Sequence, residues 1–458
     1  MSVTCGVRPL KNEHVLRANR EERNLVERNR KDATRDVRRR ICILSFSHIA
    51  RDARVLRQVK YLAPYYDLTV IGFGPPHKDW QNAPNVKWID LNQPGGGSFS
   101  VHSASSPAIS LGRFHGARMA KKVFPKVKNF VRTNAARAIK VAAILAPELY
   151  YQVWIRQWGH AGALESILSE PCDIYHANDW DALPAAAEAA RQSRGKLVVD
   201  LHEYGPLEWE EKRDWWLTRR MVMHFLREYG LGAQAWITVA PLIADRYRNE
   251  FHMNPLVIRN VSERIDLPSR RVNPEKITLV HHGGASGVRR PEDMIRAVGL
   301  SDSRYSLNLI FLQNDYVKKL KELADAAAPG RVQFHEPVPP EDIVRRISQF
   351  DVGLHFIPPT SYNNLVSLPN KFFDFINAGL AVCIGPSPSM EEIVKQYGLG
   401  CISPSFEPNQ IAALLNRTSA HQWDAMREGS RKASEELNAQ REMEKLVTLY
   451  EGLFQRDN

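Results

Sequence analysis

Cysteine is scarce in this chain: 458 residues contain five, Cys5, Cys42, Cys172, Cys383 and Cys401, none in a Cys-x-x-Cys pair. That usage argues against a zinc site or a disulfide framework and points to a reducing compartment. Long apolar runs are scarce too. The clearest, Val141 to Ile155, has 15 residues and is interrupted by Pro147 and Glu148, whereas a membrane-spanning helix needs about 20. The opening run lacks an apolar core and does not read as a signal peptide. No glycine loop ends in the Gly-Lys-Ser/Thr of a Walker site, and none has the Gly-x-Gly-x-x-Gly spacing of a dinucleotide site.

Apolar residues make up 43% of the chain, enough at this length for two or three packed domains. The charge of +11 is concentrated. Residues 1–40 carry +6 and residues 111–160 carry +9, more than the whole surplus, so the rest is slightly acidic. The first stretch mixes both signs with few apolar residues and reads as a solvated arm. The second interleaves cations with apolar residues and ends in Tyr150, Tyr151, Trp154 and Trp158. Such a helix suits an anionic membrane interface. Packing of Val141 to Trp158 into a domain core is the alternative, and an acidic partner such as RNA is a third.

From Ile41 the pattern becomes regular. "ICILSF" has strand length, "RDARVLRQVKYLAPYY" repeats Val55, Leu56, Val59 and Leu62 at helical spacing, and "LTVIGFG" is a second strand. Strand, helix and strand in under 40 residues make a βαβ unit and therefore a covered parallel sheet. The Gly/Ser-rich "NQPGGGSFSVHSASSPAIS" interrupts it as a loop. Alternation resumes through "CDIYHAND", "ALPAAAEAARQS", "KLVVDLHE", "AWITVA" and "PLVIRN", then restarts at Lys276 after a Pro-containing, charged linker. The expected organisation is an α/β protein: a basic arm over 1–40, a first domain over 41–259 with an insertion at about 111–160, and a linker over 260–274. A second domain follows over 275–430, with a C-terminal helix over 431–458 that packs back on the first domain.

Ligands of open parallel sheets bind beyond the carboxyl ends of strands. Three polar clusters close apolar runs here: His176, Asn178, Asp179 and Asp181; Asp200, His202 and Glu203; and Gly283, Gly284, Arg289 and Arg290. Any one of them also reads as a satisfied loop or helix cap. "HHGGASGVRR" has the logic of a phosphate site, because glycines let backbone N–H groups approach an anion and the two arginines add charge-assisted hydrogen bonds. Asp179 and Asp181, two positions apart, offer a carboxylate pair to a divalent cation, but Asp181 also suits a cap for the following alanine-rich helix.

"DIYHANDWDALPAA", "VVDLHE", "HHGGASGVRRPEDMIRAV" and above all "SLPNKFFDFINAGLAV" resemble, in order and spacing, the motifs of retaining GT-B glycosyltransferases of the family-four type. The resemblance spans about residues 41 to 450. It implies two Rossmann-like domains with parallel sheets facing a central cleft, the acceptor on the first and a nucleotide sugar on the second. It also implies that Arg289 contacts the diphosphate, Lys371 the donor phosphates and Asp374 the ribose hydroxyls. His202 would lie near the transferred sugar, Asp179 and Glu203 would line the same cleft, and Ser367 and Asn370 would belong to the donor loop with Gly283, Gly284 and Arg290. No metal or separate cofactor is implied; the donor, a UDP- or GDP-sugar, is a substrate. The expected activity is sugar transfer with retention to a glycan or lipid-linked acceptor in envelope or exopolysaccharide synthesis, by a cytoplasmic protein peripheral to the inner face of the membrane. Nucleic acid is not expected as a partner. A nucleotide-sugar epimerase and a non-catalytic basic scaffold are the alternatives. The chain departs from the motif at Val366, where a carboxylate is common, and at Asp374, which replaces a glutamate.

Overall fold

Strands of parallel sheets are buried on both faces, so they appear in sequence as unbroken apolar runs, and the runs of this chain form two such sheets. In the computed structural model of the protein, residues 38–91, 146, 149–151, 154 and 161–455 are described. The arm over 1–37, the Gly/Ser-rich loop and most of the basic stretch at 111–160 fall outside the described residues. Seven strands, β1 (Arg40–His48), β2 (Asp67–Phe73), β3 (Val86–Asp90), β4 (Ile174–Asn178), β5 (Lys196–Leu201), β6 (Ala235–Thr238) and β7 (Leu256–Val257), pair in the order β3-β2-β1-β4-β5-β6-β7. Six more, β8 (Ile277–Gly283), β9 (Tyr305–Phe311), β10 (Val332–His335), β11 (Val352–His355), β12 (Ala381–Ile384) and β13 (Gly400–Ile402), pair in the order β10-β9-β8-β11-β12-β13. All these pairings are parallel. Each sheet begins at an inner strand, grows outward, then reverses, which is the doubly wound order.

Seven helices matter for the site: α1 (Ala53–Leu62), α2 (Asp179–Ser193), α3 (Pro241–Phe251), α4 (Pro291–Leu300), α5 (Tyr362–Val366), α6 (Asn370–Asn377) and α7 (Ala439–Gln455). Helix α1 starts where Asp52 accepts hydrogen bonds from the Arg54 and Val55 N–H groups, satisfying donors that a helix start leaves open. Helix α6 is held from below. Phe372, Phe373, Phe375 and Ile376 are fully buried, and Gly353 of β11 lets the Phe375 ring come so close that a Cβ there would lie 2.2 Å from it. Only glycine permits that approach, and it sets the height at which α6 presents Lys371. Helix α7 follows the second lobe in sequence but buries Met443, Leu446, Tyr450 and Leu453 with Ile41, Val55 and Val59 of the first.

The aromatic end of the basic stretch departs from the membrane-interface expectation. Tyr150 and Trp154 are buried in the core of the first lobe, where the Trp154 ring meets Phe46 at 5.7 Å and Phe225 edge-on at 6.1 Å. Packing is the reading that describes these two rings. Helical aromatics beside cations fit a lipid surface or a core equally well by composition; for Trp154 the core partners are Phe46 and Phe225. Cys383 and Cys401, 18 positions apart, face each other in register across β12 and β13 with sulfurs 3.4 Å apart as free thiols. No helix among the described residues is long and apolar enough to cross a membrane.

Candidate functional site

A doubly wound sheet opens a crevice where its strand order reverses. The reversals lie between β1 and β4 in one sheet and between β8 and β11 in the other. The carboxyl ends of β4 and β5 lead into Asn178, Asp179, His202 and Glu203, and those of β8 and β11 into Gly283, Gly284 and His355.

On the first lobe, Asp179 adopts a left-handed backbone with φ 65°, a conformation that costs a non-glycine residue about 1–2 kcal/mol and persists where its surroundings impose it. One carboxylate oxygen accepts the His202 backbone N–H at 2.9 Å, and the other lies 3.0 Å from His202 Nδ1. His202 Nε2 lies 3.3 Å from Asn178 Oδ1 and 3.9 Å from Asp200 Oδ2. Burial opposes charge on this ring, but the Asp179 and Asp200 carboxylates outweigh it and lift its pKa to about 9. His202 is therefore an imidazolium at neutral pH. Glu203 stands exposed beside it. Desolvation by neighbouring groups, reinforced by the Glu208 and Asp179 charges, raises its carboxyl above the usual range, an effect that solvent screening of the exposed side chain moderates.

Beneath His202 runs a buried polar network. Arg54 clasps Asp200 through Nε at 2.8 Å and Nη2 at 2.7 Å. Gln58 donates to Asp200 at 3.0 Å and to Asn178 at 2.9 Å, and His176 Nε2 lies 3.3 Å from Asp200. The Tyr450 hydroxyl of α7 sits 2.5 Å from His176 Nδ1. Burial alone would raise the Asp200 pKa; the Arg54 guanidinium and the two histidines hold it well below the usual carboxylate range.

On the second lobe the strand end opens into a cationic cradle. Gly283 has φ 116°. A Cβ on it would lie 3.2 Å from Lys371 Nζ, and one on Gly284 would lie 3.2 Å from Arg289 Nη1. The two glycines thus leave room for two cations. Lys371, in the first turn of α6, is buried, with Nζ 3.4 Å from His281 Nε2. Burial first, and then the Arg289 charge, lower its pKa to about 7 against partial support from Asp374. His282 Nε2 and His355 Nδ1 are buried without hydrogen-bond partners, and both rings are kept neutral by burial and by Lys371. His282 Nε2 has the Asp374 carboxylate nearby at 3.4 Å, whereas His355 Nδ1 has no such neighbour, and a buried polar atom without a partner is costly.

Asp374 lies below Lys371, 3.4 Å from His282. Burial pushes it up to about 6, offset by Ser262, Arg57 and Lys371. Arg57 comes from α1 of the other lobe and donates to Asn260 at 2.9 Å.

The structure thus groups Asp179, His202 and Glu203 at one crevice and Gly283, Gly284, Arg289, Lys371 and Asp374 at the other. Two expected donor residues are engaged locally. Arg290 pairs with buried Asp293 at 2.7 Å across the start of α4, and Ser367 donates to the Asn364 carbonyl at 3.1 Å. Asn370 is exposed at the first position of α6. The sequence reading missed Arg54 and Gln58. Their i, i+4 spacing among Val55, Val59 and Leu62 puts them on a buried helix face, and that polar pair in an apolar stripe was the available signal.

No family model matches the chain, and no curated protein matches it in sequence. Its fold nevertheless resembles solved structures over almost its whole length. HepE from Anabaena, solved with UDP, superposes with a TM-score of 0.59 at 15% identity, covering 91% of this chain and 100% of that one. Sucrose-phosphate synthase from Thermosynechococcus elongatus superposes at 0.58 with 13% identity over 92% of this chain and 100% of that one. A putative UDP-N-acetylglucosamine 2-epimerase from Listeria monocytogenes superposes at 0.52 with 12% identity over 92% and 98%. These likenesses and the two doubly wound sheets define the architecture: the chain has the GT-B fold of two Rossmann-like lobes.

Proposed function

We propose that this protein is a glycosyltransferase that moves a sugar from a nucleotide-sugar donor to a glycan or lipid-linked acceptor with retention, without a metal. The observation that carries this reading is the cradle in which buried Lys371, at the start of α6, and exposed Arg289 approach Gly283 and Gly284. Two cations, glycine backbone and the positive end of a helix dipole suit a diphosphate. HepE, a structural neighbour, is solved with UDP and with UDP-glucose.

In this reading the bond from the sugar's anomeric carbon to the β-phosphate oxygen breaks as the acceptor oxygen forms its own bond on the same face. The acceptor proton passes to the departing phosphate oxygen. Lys371 and Arg289 meet the charge that develops on that leaving group, which is where fixed donors contribute most to rate. Asp374 takes the ribose hydroxyls. The His202 ring, held by Asp179 at Nδ1 and facing Asn178 at Nε2, sets its positive charge near the transferred sugar, and Glu203 lines the same cleft.

A screen of UDP-, GDP- and ADP-sugars by thermal shift tests the cradle without an acceptor. A matching nucleotide at about 100 times its Kd stabilises the protein by about 2.7 kcal/mol, a rise of several degrees. No rise with any nucleotide would overturn the reading. The epimerase neighbour supports a second reading, and product analysis separates the two. An epimerase changes the sugar while it stays on its nucleotide; a transferase releases nucleoside diphosphate.

We also propose that the basic stretch at 111–160 carries the protein to anionic membrane at the cytoplasmic face, where lipid-linked acceptors of cell-envelope synthesis lie. The support is its charge of +9. Exchanging Lys121, Lys122, Lys126 and Lys128 for glutamate should abolish co-sedimentation with vesicles rich in phosphatidylglycerol; retained binding would remove this role.

A further inference from the structure

We propose that Asn363 is a positioning residue that sets His202 and Glu203 against the Lys371 cradle. Its kinetic consequence rests on the transferase reading above. Asn363 lies on α5, eight residues before Lys371, and is buried at 6% exposure. Its Oδ1 accepts the Tyr204 backbone N–H at 2.8 Å, and its Nδ2 donates to the Tyr204 carbonyl at 3.2 Å. One amide side chain of the second lobe thus reads both polar groups of one residue of the first, as a strand neighbour would.

The same backbone is gripped from its own lobe. The Tyr247 hydroxyl of α3 accepts the Gly205 N–H at 2.9 Å and donates to the Glu203 carbonyl at 3.0 Å. From the Glu203 carbonyl to the Gly205 N–H, every peptide polar group is therefore held by a side chain, two of them by Asn363. The contact around it is built rather than incidental. The Tyr362 ring meets Tyr204 edge-on at 5.7 Å, and the Arg246 guanidinium lies 4.9 Å from the Tyr204 ring and 4.6 Å from that of Tyr362.

Because Asn363 contacts main chain, its grip is indifferent to the side chain at 204 and sensitive to the height of the strand end. His202 and Glu203, the two residues that precede Tyr204, follow directly on that strand end, where Asp179 holds the His202 ring. All four cradle residues, by contrast, belong to the second lobe. Losing Asn363 should consequently separate the reacting groups without emptying the cradle.

The test compares Asn363→Ala and the isosteric Asn363→Asp with wild type. The aspartate keeps an acceptor for the Tyr204 N–H but sets an oxygen against its carbonyl. UDP, the probe, should bind both variants within about twofold of wild type. Turnover of the donor found in the screen should fall in kcat by 10- to 100-fold for alanine and less for aspartate, with KM for the donor little changed. Hydrogen exchange of the 203–205 backbone should quicken at least tenfold in the UDP-bound alanine variant. A purely structural role would lower the melting temperature and leave kcat of the folded enzyme intact. Unchanged kcat, or unchanged exchange at 203–205, overturns the proposal. Should no donor turn over, the transferase reading fails, and the exchange measurement still decides the role of Asn363. Should the alanine variant fail to fold, the aspartate variant decides by the same two readouts.

Discussion

Lys371→Ala should lower nucleotide affinity by roughly 10- to 150-fold, the equivalent of one charge-assisted hydrogen bond of about 1.5–3 kcal/mol, and donor turnover by at least as much. The loss should carry a pH signature. In the empty site burial and Arg289 hold Lys371 near 7, so above that pH the amine is mostly neutral. An arriving diphosphate favours the ammonium and raises that pKa, so binding at pH 8 draws a proton from solution. Affinity is therefore full below about 7 and declines as pH rises through it, by up to tenfold per unit. The other groups facing the amine leave this sign intact. Asp374, near 6, is already ionised at pH 8, and His281, His282 and His355, all lowered by burial and by Lys371, stay neutral. Calorimetry of UDP binding at pH 8 in two buffers of different ionisation enthalpy should show uptake approaching one proton in wild type and almost none in Lys371→Met. Equal affinity of wild type and variant would take the lysine out of the site.

The cradle was legible because its parts are local and chemically marked. Gly283 and Gly284 close an apolar run, Arg289 follows within six residues, and Lys371 opens a helix whose phenylalanines announce its buried face. The doubly wound architecture was legible for a similar reason, since strands covered on both faces leave apolar runs spaced by helices. What the sequence hid depends on partners far away. Arg54 meets Asp200 across 146 positions and Asn363 meets Tyr204 across 159, and although Asp200 closes an apolar run, nothing local in the sequence says which residue it meets. Arg290 shows the reverse difficulty. It sits beside Arg289 in a basic turn, yet its left-handed backbone, φ 45°, turns its side chain back to Asp293, so adjacent arginines face different partners. Backbone conformation divided their roles, and no property of the residue type could.

Asp200→Asn should cost about 3–5 kcal/mol, because removing one member of a buried ion pair leaves the other charged and unpaired. Arg54 and Asp200 are both almost wholly enclosed, at 5% and 1% side-chain exposure, and the replacement amide has one acceptor where the carboxylate serves Arg54, Gln58 and His176. The melting temperature should fall by roughly 3–5 °C. The pH dependence has a definite sign. A carboxyl held below its unfolded value of about 3.9 contributes its full stability above that pH and loses it as acid protonates the folded form. Wild type should therefore be most acid-labile below pH 4, and the variant should lack that step. The double variant Arg54→Met/Asp200→Leu separates a paired charge from a merely well-packed one. If the cost of Asp200→Asn is the stranded guanidinium, removing both charges restores much of the lost stability; if the double variant is as unstable as the sum of its parts, the two residues act independently. The electrostatics of His202 should not recover with the fold. Asp200 is one of the two carboxylates that keep the His202 imidazolium charged, while Arg54 opposes that charge, so the restored protein, which lacks both, should show His202 titrating lower by the difference between the two effects, read by NMR of the ring.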